Sequence, residues 1–443
     1  MTTPETFPCV LFITSHAFNH SNGGGVTFSN LFSGWPKERL ATVHNDSIPP
    51  ENDVCRHYFK LGAKELRKWG PFRLLQRCPP ATVELNQAES KPLSDRSLIS
   101  GKAFMGSRSL LFGDNEFPET AILSTELEAW IEEFKPQVLY TILGNNGLMD
   151  LIEKIRCRFN LPLVVHIMDD WRTVNHTKGL FASKRRRKMQ RQMAHFISVA
   201  DCCMGISDSM CVVYEAEYGR VFKTFHNGIE TDAGALNPAR KKNSDEPFKI
   251  FYAGAILPYA QLESMIDVCE AVTDLNIQGV PVQFNIVCPP AMIDLYREKL
   301  VISDAIHLRP TLASREDYLS AMRAADLLIL PVNFSEETIN FIRYSMPTKV
   351  PEMMQSGVPI FVYGPSEVAQ VNYAIEHCWG YIVNERSIEK VVAAIKKLSA
   401  DSILRNQLVC KASLVASERH DIKTIRTQFQ SALADAAIDQ SSN

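Results

Sequence analysis

The residues best suited by type and spacing to do chemistry fall in one stretch, DLLILPVNFSEETINFIRYSMPTKVPEMMQSGVPIFVYGP, residues 326 to 365. An apolar strand ends at Pro331 and a polar loop follows. A helix then opens at Pro347-Thr348-Lys349, carries Glu352 and stops at Gly357 before a second apolar run. The N–H groups of a helix start, the Thr348 hydroxyl, the Lys349 ammonium and the Arg343 guanidinium upstream are donors suited to a phosphate or diphosphate. Glu352 stands one turn further in, where a carboxylate can accept from a ribose 2′/3′ diol. A capping role for these residues is the plain alternative.

Other segments carry weaker signals. In LPLVVHIMDDW, residues 161 to 171, a buried strand ends in Asp169, Asp170 and Trp171. Adjacent carboxylates repel unless a cation or hydroxyl-rich ligand arrives, so they suit sugar hydroxyls or acid–base work. They equally suit the cap of the following helix. Asp-Asp is not a spaced Asp-x-Asp, and no metal is inferred. After VLFIT, the glycines Gly23, Gly24 and Gly25 precede a helix expected from Val26, where backbone can approach a ligand closely or simply turn. This is not the dinucleotide fingerprint, and no cofactor is implied. His16 and His20 are four apart without an acidic third ligand, which fits solvated loop residues or a substrate contact better than metal. Asn227-Gly228 after a strand is a turn signal.

The elements that must position these groups alternate in type. Apolar runs at 10–14, 138–143, 163–168, 202–205 and 221–225 read as strands, with helices at 147–158, 184–199 and 208–218. Residues 56–118, broken by Pro79-Pro80, Ser and Gly, read as a variable insertion. The polar stretch 237–248 reads as a linker. Beyond it, strands are expected at 249–253, 282–287, 305–308, 327–331 and 359–362. Helices are expected at 262–275, 292–300, 315–324, 348–356 and 388–398. The fold class is therefore α/β, with two doubly wound Rossmann-like domains, 1–240 and 241–418, facing across a cleft. A last helix, 422–437 within 419–443, is expected to return to the first domain. Ligands in such sheets settle at the carboxyl ends of strands, where every segment above lies.

Composition narrows the partners. The 443 residues are 22% charged and 45% hydrophobic, with 47 Lys and Arg against 50 Asp and Glu, a net charge of -3. Bulk charge thus offers nothing to draw the chain onto nucleic acid. No apolar run approaches the roughly 18 residues that cross a bilayer. Met1 to Pro8 lacks a signal-peptide profile, and a cytoplasmic place is expected. Eleven cysteines without a Cys-x-x-Cys pair argue against a disulfide framework or structural zinc. Lys184-Arg-Arg-Arg-Lys188, continuing to Arg191, gives a helix one cationic face. That face reads as solvated or as a peripheral contact to anionic lipid through 184–191.

Four features together resemble a retaining family 4 glycosyltransferase of the glycosyltransferase-B fold, of the bacterial cell-surface polysaccharide type. They are the glycines after the first strand, Ala200-Asp201 to Ser207, Asn227-Gly228-Ile229, and the Pro-Thr-Lys-x-x-Glu-x-x-x-Ser-Gly-x-Pro-Ile pattern from 347. The resemblance implies a metal-independent hexosyltransferase moving sugar from a nucleotide-diphosphate sugar to a carbohydrate or lipid-linked acceptor, with anomeric configuration kept. It places Glu352 on the donor ribose, Lys349 at the diphosphate, and Gly24 and Gly25 near donor phosphates and acceptor. Three departures stand out. Tyr344 occupies the place of the first motif glutamate, leaving its sugar contact to Glu336 or Glu337. The segment Gly254 to Gln261 lacks the Arg and Lys that usually hold the diphosphate, which shifts that work to Arg343 and Lys349. Met168 stands where an acceptor-side His is common. Rival readings are an epimerase or phosphorylase on the same scaffold, and a non-catalytic sugar-nucleotide-binding subunit.

Overall fold

The computed structural model describes residues 7–19, 23–46, 48–62, 64–68, 82–84, 119–175, 178–231 and 246–438. The chain divides into two compact units, Met1–His226 with Lys423–Asn443, and Asn227–Ile422.

The first unit is built on one sheet. Its strands run in the spatial order Phe222–Thr224, Cys202–Gly205, Leu163–Ile167, Val138–Thr141, Val10–Ile13, Leu40–His44, His57–Lys60 and Thr82–Glu84. All pair in parallel except the last, which runs antiparallel to His57–Lys60. The central strand VLFI is buried at every residue, because helices cover both faces of a parallel sheet. The helices start where side chains can accept orphan N–H groups. Ser124 Oγ accepts from the Leu127 N–H at 3.2 Å, and Asn145 Oδ1 from that of Gly147 at 2.7 Å. One face of the sheet carries an aromatic core in which Phe12 lies 4.9 Å from Tyr140 and 5.0 Å from Phe28. The helix Ile422–Ile438 closes it. Its Phe429 meets Phe32 at 5.0 Å, and Arg426 Nε donates to the Asn30 carbonyl at 2.7 Å.

The sequence pattern missed five strands here, among them Thr82–Glu84 at the edge of the main sheet. Leu40–His44 and His57–Lys60 belong to the main sheet, so the segment read as an insertion from 56 starts inside it. Leu66–Lys68 and Glu119–Ala121 form a separate antiparallel pair. The rest of the expected insertion, 69–81 and 85–118, lies outside the described residues, as do residues 237–245 of the expected linker.

The second unit holds six parallel strands in the order Ile306–Pro310, Val282–Cys288, Phe248–Ala253, Leu327–Pro331, Ile360–Tyr363, Tyr381–Val383. Strand order reverses between Phe248–Ala253 and Leu327–Pro331, a topological switch point where a ligand crevice opens. The break between units falls at His226, short of residue 240. Backbone pairing explains it: the Ile229 N–H donates to the His420 carbonyl at 2.9 Å, and the Ile422 N–H to the Ile229 carbonyl at 2.8 Å. Asn227, expected to close the first domain, therefore belongs to the second unit. Three helices, Glu336–Ile342, Ala369–His377 and Ser402–Arg419, and the strand Tyr381–Val383 were also absent from the sequence reading.

Candidate functional site

At the switch point the chain leaves the strand Phe248–Ala253 through Gly254, whose φ of +148° is a conformation that side-chain-bearing residues rarely adopt. The turn is held by the Gly254 N–H donating to the Val287 carbonyl at 3.0 Å, and by the Tyr252 hydroxyl donating to the Ala255 carbonyl at 2.6 Å. A second reason for glycine is space. A Cβ on Gly254 would lie 3.2 Å from Lys349 Nζ and 3.3 Å from the Tyr252 hydroxyl oxygen.

Lys349 is thus delivered to the strand end from another element. Its ammonium donates to the Ala253 carbonyl at 3.2 Å and sits 4.3 Å from the centre of the Tyr252 ring. Among the described residues no carboxylate pairs with it. Burial lowers its pKa from 10.5 to about 8. At pH 7 this is a cation in a poorly solvated place with no counter-charge of its own, a setting that favours an incoming anion. Burial likewise pushes the Tyr252 phenol far up, so it stays neutral.

The helix after Lys349 is shorter than expected, Val350–Gln355, with Lys349 as its N-cap and Thr348 outside it. Pro351, which has no N–H, sits in its first turn. The Thr348 carbonyl accepts from Asn227 Nδ2 at 2.8 Å. The Asn227 carbonyl in turn lies 3.3 Å from His420 Nδ1, while His420 Nε2 meets the Tyr373 hydroxyl at 2.9 Å. The Asn-Gly turn is so clamped between the lysine-bearing loop and a buried histidine. Asn227, Thr348, Lys349 and Gly254 are brought together.

Glu352 and Arg343 face elsewhere. Glu352 is half-buried and paired with Arg315, which opens the helix Arg315–Arg323 beyond the strand Ile306–Pro310. Burial raises the carboxyl's pKa, and the Arg315 guanidinium pulls it partly back. The nearby Tyr318 phenol is raised by its own burial and then by the Glu352 charge. Sequence reasoning missed Arg315 and Tyr318, since nothing in the spacing joins residues 315–318 to 352. Arg343, expected at a diphosphate, is exposed. Its Nη2 donates to Asn340 Oδ1 at 3.2 Å, and no bond joins it to the Lys349 group among the described residues.

In the first unit the paired carboxylates separate in role. Asp170 is buried. Its Oδ1 accepts from Arg172 Nε and from the Tyr214 hydroxyl, both at 2.7 Å, and its Oδ2 from the Thr173 hydroxyl at 2.8 Å. Arg172 also pairs with Glu217 and lies 4.5 Å over the Tyr214 ring. Asp170, expected to meet a substrate, is here engaged by three side chains of its own unit. Asp169 is half-buried beside it. His166, one strand position out of phase, is a core residue. Its Nε2 donates to the Phe225 carbonyl at 3.0 Å, its Nδ1 accepts from Tyr140 at 2.6 Å, and burial holds its pKa near 4.

The helix expected from Val26 instead starts at Gly23 and runs to Phe32. Gly25 is required there for packing, because a Cβ would fall 2.6 Å from the Asn19 side chain. Among the described residues no group of three or more His, Cys, Asp or Glu is placed to hold a metal ion.

No protein-family profile and no curated protein matches the chain. Solved structures do. The sucrose-phosphate synthase of Thermosynechococcus elongatus shares 12% identity over 95% of this chain and 96% of its own, at a TM-score of 0.57. Anabaena HepE, solved in complex with UDP, shares 14% identity over 96% of this chain and 99% of its own, at a TM-score of 0.59. WaaG, a glycosyltransferase involved in lipopolysaccharide biosynthesis, shares 14% over 96% and 99%, at 0.52. The chain has the glycosyltransferase-B fold. Within that fold, the two units described here are its two Rossmann-like halves, and Gly254 with Lys349 stands at the strand ends of the second half.

Proposed function

We propose that the chain is a metal-independent glycosyltransferase that moves a hexose from a nucleoside-diphosphate sugar to a carbohydrate or lipid-linked acceptor hydroxyl, with retention of configuration. The observation that carries this is the Lys349 ammonium, held at the switch point with no carboxylate partner among the described residues. It suits the charge that develops on a departing diphosphate. Likeness to HepE, solved with UDP-glucose as well as UDP, makes a UDP-sugar the first donor to test.

In this reading the bond between the anomeric carbon and the diphosphate oxygen breaks while Lys349 neutralises the leaving group. The freed phosphate oxygen takes the acceptor hydroxyl's proton, and the new glycosidic bond forms on the same face. Asn227 positions Lys349 by fixing the Thr348 carbonyl. Glu352 accepts from the ribose diol, and Arg315 holds it ready. Asp169 orients the acceptor, with Gly23 and Gly24 at the start of the first helix leaving room for it. The test is nucleotide release from UDP-sugars with acceptor extract, followed by the anomeric configuration of the product. Binding without any nucleotide release would favour the non-catalytic subunit, and donor conversion without acceptor would favour an epimerase.

A further inference from the structure

The helix Ala182–Val199 carries a feature the transferase reading leaves unused. Lys184, Arg187, Lys188 and Arg191 are spaced i, i+3, i+4, i+7, so they form one stripe along the helix. All four are exposed. Lys188 reaches back to Asp150 at 2.8 Å, whereas Lys184, Arg187 and Arg191 have no acidic partner among the described residues. The opposite face, with Met189, Met193, Phe196 and Ile197, is buried in the unit, so the stripe cannot rotate inward.

Directly before the helix stand Leu180 and Phe181, which are 74% and 37% exposed. The two apolar side chains and the four cations line one open groove of about 670 Å³. A solvated basic face has no use for two exposed apolar groups at its end. A soluble polyanion would draw on the charges alone. Positive charge beside apolar protrusions matches a surface of anionic headgroups over hydrocarbon. Among the described residues no helix is long and apolar enough to cross a membrane, so the contact is peripheral.

We infer that the groove formed by Leu180, Phe181 and the Lys184–Arg191 stripe docks the chain on an anionic phospholipid bilayer. The lipid phosphates sit among Lys184, Arg187 and Arg191, and Leu180 and Phe181 enter the acyl boundary. This inference does not depend on the transferase reading, and its test needs no turnover.

The test is flotation of the full-length chain with vesicles of phosphatidylcholine alone and of phosphatidylcholine mixed equally with phosphatidylglycerol. The chain is expected to float with the anionic vesicles only, and molar salt should weaken but not abolish it. Each basic residue near such a surface is worth about fivefold in partitioning, so K184Q/R187Q/R191Q should bind roughly a hundredfold more weakly. All three side chains are exposed, and the triple variant should keep the wild-type melting temperature. L180S/F181S should bind less at every salt concentration. Equal flotation with both vesicle types, an unaffected triple variant, or displacement by inorganic phosphate would overturn the proposal. Full binding by L180S/F181S would assign the stripe to a soluble polyanion instead and overturn it as well.

Discussion

Replacing Lys349 by Met separates a binding role from a structural one, because the two predict opposite signs. The native ammonium titrates near 8 against an ordinary 10.5, so keeping it charged at pH 7 costs the fold about 3 kcal/mol. Its placement 4.3 Å over the Tyr252 ring returns about 1–2 kcal/mol. Met keeps the stem's packing and removes both effects, leaving a net gain of about 1–2 kcal/mol. For a unit of this size that raises the melting temperature by about 3–6 °C. The pH dependence follows. The native lysine has lost its proton between about 8 and 10.5 while the unfolded chain still holds it, so wild-type stability climbs through that window. The Met variant should lack that climb. Differential scanning calorimetry on the ligand-free chain reads both effects, and titration calorimetry with UDP reads the other side. The variant should bind UDP at least tenfold more weakly, and wild-type affinity should fall as pH passes 8. A variant that melts lower than wild type and binds UDP equally well would refute the assignment, since Lys349 would then be a structural group.

The remaining expectations concern single neighbours. Gly254→Ala forces a side chain into φ +148° against the Lys349 ammonium, and should lower UDP affinity roughly tenfold at a stability cost of about 1–3 kcal/mol, read by titration and melting. Asp170→Ala leaves the buried Arg172 without one of its acidic partners and should cost about 3–5 kcal/mol in urea unfolding. Asp169→Asn should lower turnover while leaving UDP affinity unchanged, read by nucleotide release and titration. Glu352→Ala should raise the donor's dissociation constant about tenfold with little loss of stability, because the partner it abandons, Arg315, is already in water. Transferase activity in excess EDTA should equal that without it.

Much of the architecture could be read from local pattern. Strands such as Val282–Cys288 and Leu327–Pro331 are continuous apolar runs because helices cover both faces of their sheet, and burial on both faces leaves little room for polar residues. Where that logic weakened, the reading failed. LATVH and HYFK, at 40–44 and 57–60, carry polar residues in short runs, and their place in the sheet comes from pairing with strands far away in the chain. The helix at 350–355 was visible, but its start was not, because Pro351 and the Asn227 bond to Thr348 decide where the backbone turns.

The amino-acid order by itself marked Asn227, Thr348, Lys349 and Glu352 as polar residues in the loop and helix starts that follow strands, since alternating periodicity marks those places without any knowledge of neighbours. Only the tertiary structure decided which of them meet. Lys349 lies 96 residues from the carbonyl it reaches, Asn227 lies 121 from Thr348, and Arg343, beside Lys349 in sequence, turns to Asn340 and solvent. Likewise two consecutive aspartates looked equivalent in the chain. Tyr214, 44 residues beyond Asp170, makes them different, because a hydrogen bond in a buried place depends on what the fold delivers there.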